Sequence, residues 1–107
     1  MLDSIKACSL ADLAEGRGFQ VTLKSRKIAL FRIGSKVFAL QDACPHKGAS
    51  LCEGRVSIGR EEVICPWHHF RFSLHTSASI TNPELAGRNF PVEIRDGDVY
   101  VSIARLP

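Results

Sequence analysis

The sequence predicts an all-β fold, an antiparallel sandwich or barrel, and three features lead to that expectation. From about residue 18 onward the chain is a series of short runs in which apolar residues alternate with polar ones or stand in unbroken blocks. Those are the patterns of half-buried and fully buried strands. Glycine and proline punctuate the runs at close spacing, which suits short strands joined by tight turns. Only one brief segment carries a helical pattern.

In chain order the runs are FQVTL (19–23), KIALFRI (27–33), KVFAL (36–40), RVSI (55–58), EVICP (62–66), RFSL (71–74), FPVEI (90–94) and VYVSIA (99–104). KIALFRI and KVFAL are separated by Gly34-Ser35, and PVEI and VYVSI by Asp96-Gly97. Each pair reads as a hairpin, because glycine accepts the positive φ that a two-residue turn demands. The helical segment is SLADLAE, Ser9 to Glu15, with Ser9 as N-cap and Gly16 as stop. Ahead of it, Cys8 lies in a candidate first strand, where its role is packing. No internal repeat, low-complexity stretch or linker interrupts the chain.

A chain of 107 residues makes one compact domain. Its hydrophobic content of 45% and charged content of 23% are those of an ordinary globular protein. No apolar run approaches the ~20 residues that cross a bilayer, and the first ten residues, MLDSIKACSL, lack the basic start and apolar middle of an export signal. The expected location is the cytoplasm, away from membranes. Reducing conditions there argue against a disulfide framework, so the four cysteines point to metal binding or catalysis. The net charge of +3 is mild and spread along the chain, without the dense basic stripe and interleaved aromatics of a nucleic-acid module.

Two segments carry the chemistry: Cys44-Pro45-His46 and Cys65-Pro66-Trp67-His68, separated by the eighteen residues 47–64. Each offers one thiolate and one imidazole, and each lies between strands, so two loops at one end of a sheet could bring four ligands together. A lone cysteine is usually a small buried hydrophobe. Two Cys-Pro segments of matching type and order are harder to explain by packing. Zinc fingers commonly draw both sulfurs from one knuckle and both histidines from another. Here each loop is mixed, which suits a diiron cluster with sulfur on one iron and nitrogen on the other. A structural zinc module for protein interaction stays as the alternative of another class.

The pattern CPH, spacer, CPWH resembles the Rieske family, and Lys47-Gly48-Ala49-Ser50-Leu51 with Glu53-Gly54 is similar to that family's first-loop continuation. The likeness runs from about Val21 to Ile103. It implies small stacked antiparallel sheets with a cluster-binding subdomain at one exposed tip, the loops falling at about 42–54 and 64–73. It also implies one [2Fe-2S] cluster, with Cys44 and Cys65 on the buried iron and His46 and His68 on the outer one.

Two ferric irons, two sulfides and two thiolates sum to zero formal charge, whereas four thiolates leave a cluster negative. A Rieske centre is therefore easier to reduce than a four-cysteine one, within a range of ~−150 to +300 mV. High-potential relatives in the family carry an extra cysteine in each loop and two hydroxyl donors to the cluster sulfurs. This sequence has Ala49 and Trp67 in place of those cysteines and Phe70 and Phe72 in place of the hydroxyls. The resemblance therefore implies the low-potential end.

The cluster domain accounts for the whole chain, leaving no room for a catalytic iron domain or for flavin or NAD binding. The expectation is a carrier and not an enzyme. It would be a monomer taking one electron from a flavin reductase to a terminal aromatic-ring oxygenase through transient contacts, with no nucleic-acid or membrane partner. The small subunit of NAD(P)H nitrite reductase is the alternative context. Lys47, Arg55 and Arg71 suggest a basic rim facing an acidic partner. Cys52 is expected to be an ordinary thiol, His69 to point away from the cluster, and His75 to lie on the surface. Trp67 and Phe70 would shield the cluster or simply pack. The stretch LHTSASI (74–80) departs from the family's usual hairpin after the second loop, leaving that turn's geometry open.

Overall fold

The computed structural model describes residues 2–43, 50–66, 70–76 and 87–104. Through them run β1 Leu2–Ser9, β2 Gly18–Leu23, β3 Arg26–Ile33, β4 Lys36–Gln41, β5 Arg55–Ser57, β6 Glu62–Ile64, β7 Arg71–Ser73, β8 Asn89–Phe90, β9 Val92–Arg95 and β10 Asp98–Ala104. Each run named above falls on one strand except FPVEI, which Pro91 divides between β8 of one sheet and β9 of another, since proline has no amide to continue a ladder. The strands form three antiparallel sheets, ordered β1-β10-β9, β2-β3-β4-β8 and β5-β6-β7.

Strand β3 organises the molecule, and its sequence explains why. Ile28 and Leu30 point to one face and join Ala39, Phe90, Val99, Val101 and Ile103 against the sheet of the chain ends. Ala29, Phe31 and Ile33 point to the other face and join Leu51, Val63, Phe72 and Leu74 against the β5-β6-β7 sheet. Alternate side chains of a strand lie on opposite faces, so a strand covered on both sides reads as an unbroken apolar block. Residues 28–31 are all fully buried. At about 1.5–3 kcal/mol for each large apolar side chain taken out of water, this one strand anchors both neighbouring layers.

The turns follow their chemistry in two places and depart from it in a third. Gly34 has φ +60°, and Asp96-Gly97 has +52° and +79°, as a two-residue hairpin requires. Lys24-Ser25, between β2 and β3, has φ of +49° and +66° without any glycine. The Lys24 ammonium pairs there with the Asp3 carboxylate of β1, which ties the turn to the neighbouring sheet.

The expected helix over Ser9–Glu15 is corrected to a single 3-10 turn, Leu10–Asp12. Strand β1 continues through Ser9, which pairs with Asp98. The Arg32 guanidinium then donates to the carbonyls of Leu10 (3.4 Å) and Leu13 (3.2 Å), taking acceptors that a longer helix would use itself. Leu13 turns into the core, 2% exposed. The first strand is also longer than Cys8 alone suggested. Its register shifts between Lys6 and Cys8, and such a bulge breaks the period-two pattern by which a strand is recognised.

One charged cluster supports the apolar contact between the β4 and β7 layers. Glu61, at the turn before β6, accepts from Lys36 of β4 (3.3 Å) and contacts the His75 ring just after β7. The His75 ring also meets Phe38 of β4 edge to face at 4.8 Å, and Leu74 donates its amide to the Glu61 carbonyl (3.0 Å). His75 is exposed, as expected from sequence. Of the LHTSASI stretch, residues 74–76 form a turn and 77–80 lie outside the described residues.

His75 first and then Lys36 hold the Glu61 carboxyl below the usual glutamate range. A depressed carboxylate pKa adds stability above the unfolded value, about 4.3, and loses it as pH falls through the folded value. Glu61→Gln is therefore expected to lower the urea midpoint at pH 7. At pH 3 the gap from the parent should narrow, and an equal gap at both pH values would contradict the ion-pair account.

Candidate metal centre

Both motif loops open at the same end of the β5-β6-β7 sheet, and strand register puts them there. Ile64, the last residue of β6, pairs with Arg55 at the start of β5 and with Arg71 at the start of β7. The first loop enters β5 at this level and the second leaves β6 from it. The second loop is closed by backbone alone: the Cys65 amide donates to the Phe70 carbonyl at 2.7 Å. This bond extends the β6-β7 ladder by one step, to the base of the loop's tip.

Cys65 sits at the base of that tip, completely buried and not in a disulfide. It shares the apolar cluster of Phe31, Leu51, Val63 and Phe72. Phe70 packs against the same cluster, and Phe72 is 1% exposed within it. Of the other three expected ligands, Cys44 and His46 lie within 44–49 and His68 within 67–69, both outside the described residues. Lys47, Ala49, Trp67 and His69 fall there too.

The first loop joins strands of two different sheets, so no ladder can close it. Asp42 performs the closure, and sequence reasoning did not find it. The residue is 6% exposed. The carboxylate accepts from the Ser50 hydroxyl (2.8 and 3.0 Å to its two oxygens), from the Cys52 amide (2.8 Å) and from the Gln20 side chain of β2. The Asp42 amide in turn donates to the Lys27 carbonyl of β3 (2.9 Å). Burial alone would raise the Asp42 pKa, but the bonds from Gln20, Cys52 and Ser50 outweigh it and hold the carboxyl below its ordinary value. A single aspartate at a strand end reads as a turn residue, and its three donors are spread over residues 20–52, so nothing local marked it.

Cys52 lies beside this network, its sulfur 3.0 Å from the Ser50 hydroxyl. Burial pushes its thiol pKa up, and although the Ser50 contact opposes this, the Asp42 charge adds to it. Cys8 is raised in the same direction, by burial first and then by Asp12.

Next to Cys52 an open cleft of about 480 Å³ runs between residues 16–18 and 52–56. The backbone of β2 approaches closely here: a Cβ on Gly18 would stand 2.2 Å from the Cys52 carbonyl oxygen. Arg17, Arg55 and Glu53 line the cleft, all three exposed. The expected basic rim is thus revised. Arg55 has Arg17 as its companion from another segment, while Arg71 pairs with Glu62 at 3.5 Å, which offsets its charge. Among the described residues no helix is long and apolar enough to cross a membrane.

The fold and the two closed loops are those of an iron-sulfur domain, and comparison with known proteins specifies which. The Rieske [2Fe-2S] domain matches residues 3–99, so the chain belongs to that family. It is 33% identical over 109 residues to the ferredoxin component of the p-cumate 2,3-dioxygenase system of Pseudomonas putida, covering 100% of this chain and 92% of that one. It is similar to a chain in the complex of reduced oxygenase and oxidised ferredoxin of carbazole 1,9a-dioxygenase, at 30% identity and TM-score 0.82, covering 92% of each. It also resembles a Mycobacterium tuberculosis protein assigned as the small subunit of an NADH-dependent nitrite reductase, at 26% identity and TM-score 0.91, covering 99% of each.

Cys65, the one expected donor among the described residues, fits the family's cluster. Cys65 is a reduced thiol, shielded from water, at the base of the loop that carries His68. Two consequences can be measured. Gly18→Ala should destabilise the fold by about 3 kcal/mol, the upper part of the overpacking range, because the clash is with backbone and cannot be relieved by a rotamer change. A denaturation midpoint equal to the parent's would disprove that contact. Cys52 should alkylate with iodoacetamide more slowly at pH 7.5 than free glutathione, its rate still climbing past pH 9. A plateau below pH 8.5 would contradict the raised thiol pKa.

Proposed function

We propose that this chain is a low-potential Rieske ferredoxin, carrying one electron at a time from a flavin-dependent reductase to a terminal aromatic-ring oxygenase. The observation that carries this is that the first Cys-His loop, leaving β4, enters β5 at the same end of the small sheet from which the second leaves β6, with the Cys65 thiol buried at the base of the second. Residues 1–107 are taken as one cluster domain, with its loops at about 42–54 and 64–73. Cys44 and Cys65 hold the inner iron and His46 and His68 the outer one. When bound, the cluster supplies reversible one-electron storage.

The chain's own residues do the rest. Leu51, Val63, Phe70 and Phe72 surround Cys65 with apolar side chains, which keeps water from the sulfur-bound side. Phe70 and Phe72 bring no hydroxyl to donate to the cluster, which favours a potential at the low end of the family's range. The rings of His46 and His68 form the exit nearest a docked partner. Arg17 and Arg55 beside the same loops would meet an acidic partner surface in a transient, salt-sensitive contact. On this reading the chain is a cytoplasmic monomer and catalyses nothing alone. Family membership leaves the zinc module without support.

The oxygenase context is favoured by 33% identity over the whole of this chain to a dioxygenase-system ferredoxin. The nitrite reductase context is supported by the structural likeness at 26% identity. The pure protein is expected to be red-brown, with iron and acid-labile sulfide in equal amount and a midpoint near ~−150 mV. Cys65→Ser should lose the cluster, while Cys52→Ser keeps it. A colourless protein, or one containing zinc, would overturn the assignment. Reduction of a sirohaem enzyme but of no oxygenase would move it to the second context.

A further inference from the structure

We propose that Asp42 is a positioning residue of the cluster site: its carboxylate fixes the spacing between the two ends of the first ligand loop, and through that spacing the placement of Cys44 and His46. The inference rests on the ligand set proposed above and adds a residue that no motif names.

The argument begins with what each loop has available to close it. The second loop sits between paired strands, and one backbone bond, Cys65 to Phe70, seals its base. The first leaves β4 in one sheet and returns through Ser50 and a 3-10 turn, Leu51–Glu53, to β5 in another. Among the described residues no backbone hydrogen bond joins 41–43 to 50–54. A metal site gains affinity when its ligands are held before the metal arrives, so the spacing between the two ends of a ligand-bearing segment matters.

Asp42 supplies the missing cross-connection. One of its oxygens accepts from the Cys52 amide at 2.8 Å and from Ser50 at 3.0 Å, and the other accepts from Ser50 at 2.8 Å and from Gln20. The departing end is fixed in turn by the Asp42 amide on the Lys27 carbonyl and the Gln41 amide on the Arg88 carbonyl, 2.9 and 2.7 Å. The carboxylate thus stands just past the end of β4, on backbone bonded to β3, and grips the returning end at a backbone amide and a hydroxyl. A planar group with two acceptor oxygens suits three donors arriving from different elements, and its 6% exposure keeps water from competing for them.

A residue that only stabilised the fold would lower the unfolding midpoint and leave the cluster of folded molecules unchanged. A positioning residue alters the cluster itself. The test uses the purified holoprotein well below its unfolding transition, reading the reduced-state EPR g values and the rate of iron release to a ferrous chelator. Asp42→Ala should shift the g values and speed iron release by about tenfold, the lower end of what loss of a ligand-supporting group costs. Asp42→Asn keeps an acceptor oxygen for Ser50 and Cys52 and should restore most of both properties. Ser50→Ala, which removes a single donor, should move both in the same direction by less, and it serves if Asp42→Ala does not fold.

Parent-like g values and release in Asp42→Ala, or in Ser50→Ala where it alone folds, would overturn the inference. So would an Asp42→Asn variant as damaged as Asp42→Ala, which would assign the effect to charge instead of spacing. A parent protein that purifies without iron would sink the ligand reading instead, and the two failures are told apart by that first measurement.

Discussion

Everything in this molecule depends on a single strand being dry on both faces. Residues 28–31 of β3 expose nothing to water, and their alternation divides the apolar side chains between two separate cores. One core fastens the sheet made from the chain ends, and the other fastens the small sheet that presents the two loops. The loop-bearing sheet has three strands of three residues each, and so short a unit depends on the layer beneath it.

That dependence explains how the site is built. A three-residue strand cannot bring distant ligands together, but strand register can place both loops at one edge. What register leaves undone is closure of the loop that crosses between sheets, and there a buried carboxylate takes the part that a backbone bond takes in the other loop. A third connection, the Glu61, Lys36 and His75 cluster with Phe38, holds the far end of the small sheet against β4. The site therefore rests on three kinds of contact, apolar, polar buried and ionic exposed, of which the first is the largest.

Strand positions and the family were legible in the sequence because their signals are local. An apolar block such as KIALFRI declares its burial by composition, and Asp96-Gly97 declares a left-handed turn by residue type. The signals that failed were those that depend on distance along the chain. Lys24-Ser25 adopts two left-handed conformations without glycine, in a turn held to β1 by Asp3. SLADLAE has helical spacing, yet strand β1 runs through Ser9 to pair with Asp98, and Arg32 captures the carbonyls a helix would need. Asp42 is invisible for the same reason, since its partners Gln20, Ser50 and Cys52 become neighbours only after the sheets have stacked. At the site, the cysteine and histidine pairs stand out by type and spacing, whereas the carboxylate that joins the two ends of the first loop does not.

The alternation along β3 has one more consequence. Because the two cores take odd and even residues of the same strand, a slip of one position against β2 or β4 would exchange them. Ile28 and Leu30 would then face the loop-bearing sheet, and Phe31 would face the terminal one. Both halves of the protein thus share a common ruler. A one-residue insertion within β3, outside either cysteine motif, would misalign the loop-bearing end as surely as damage to the loops themselves.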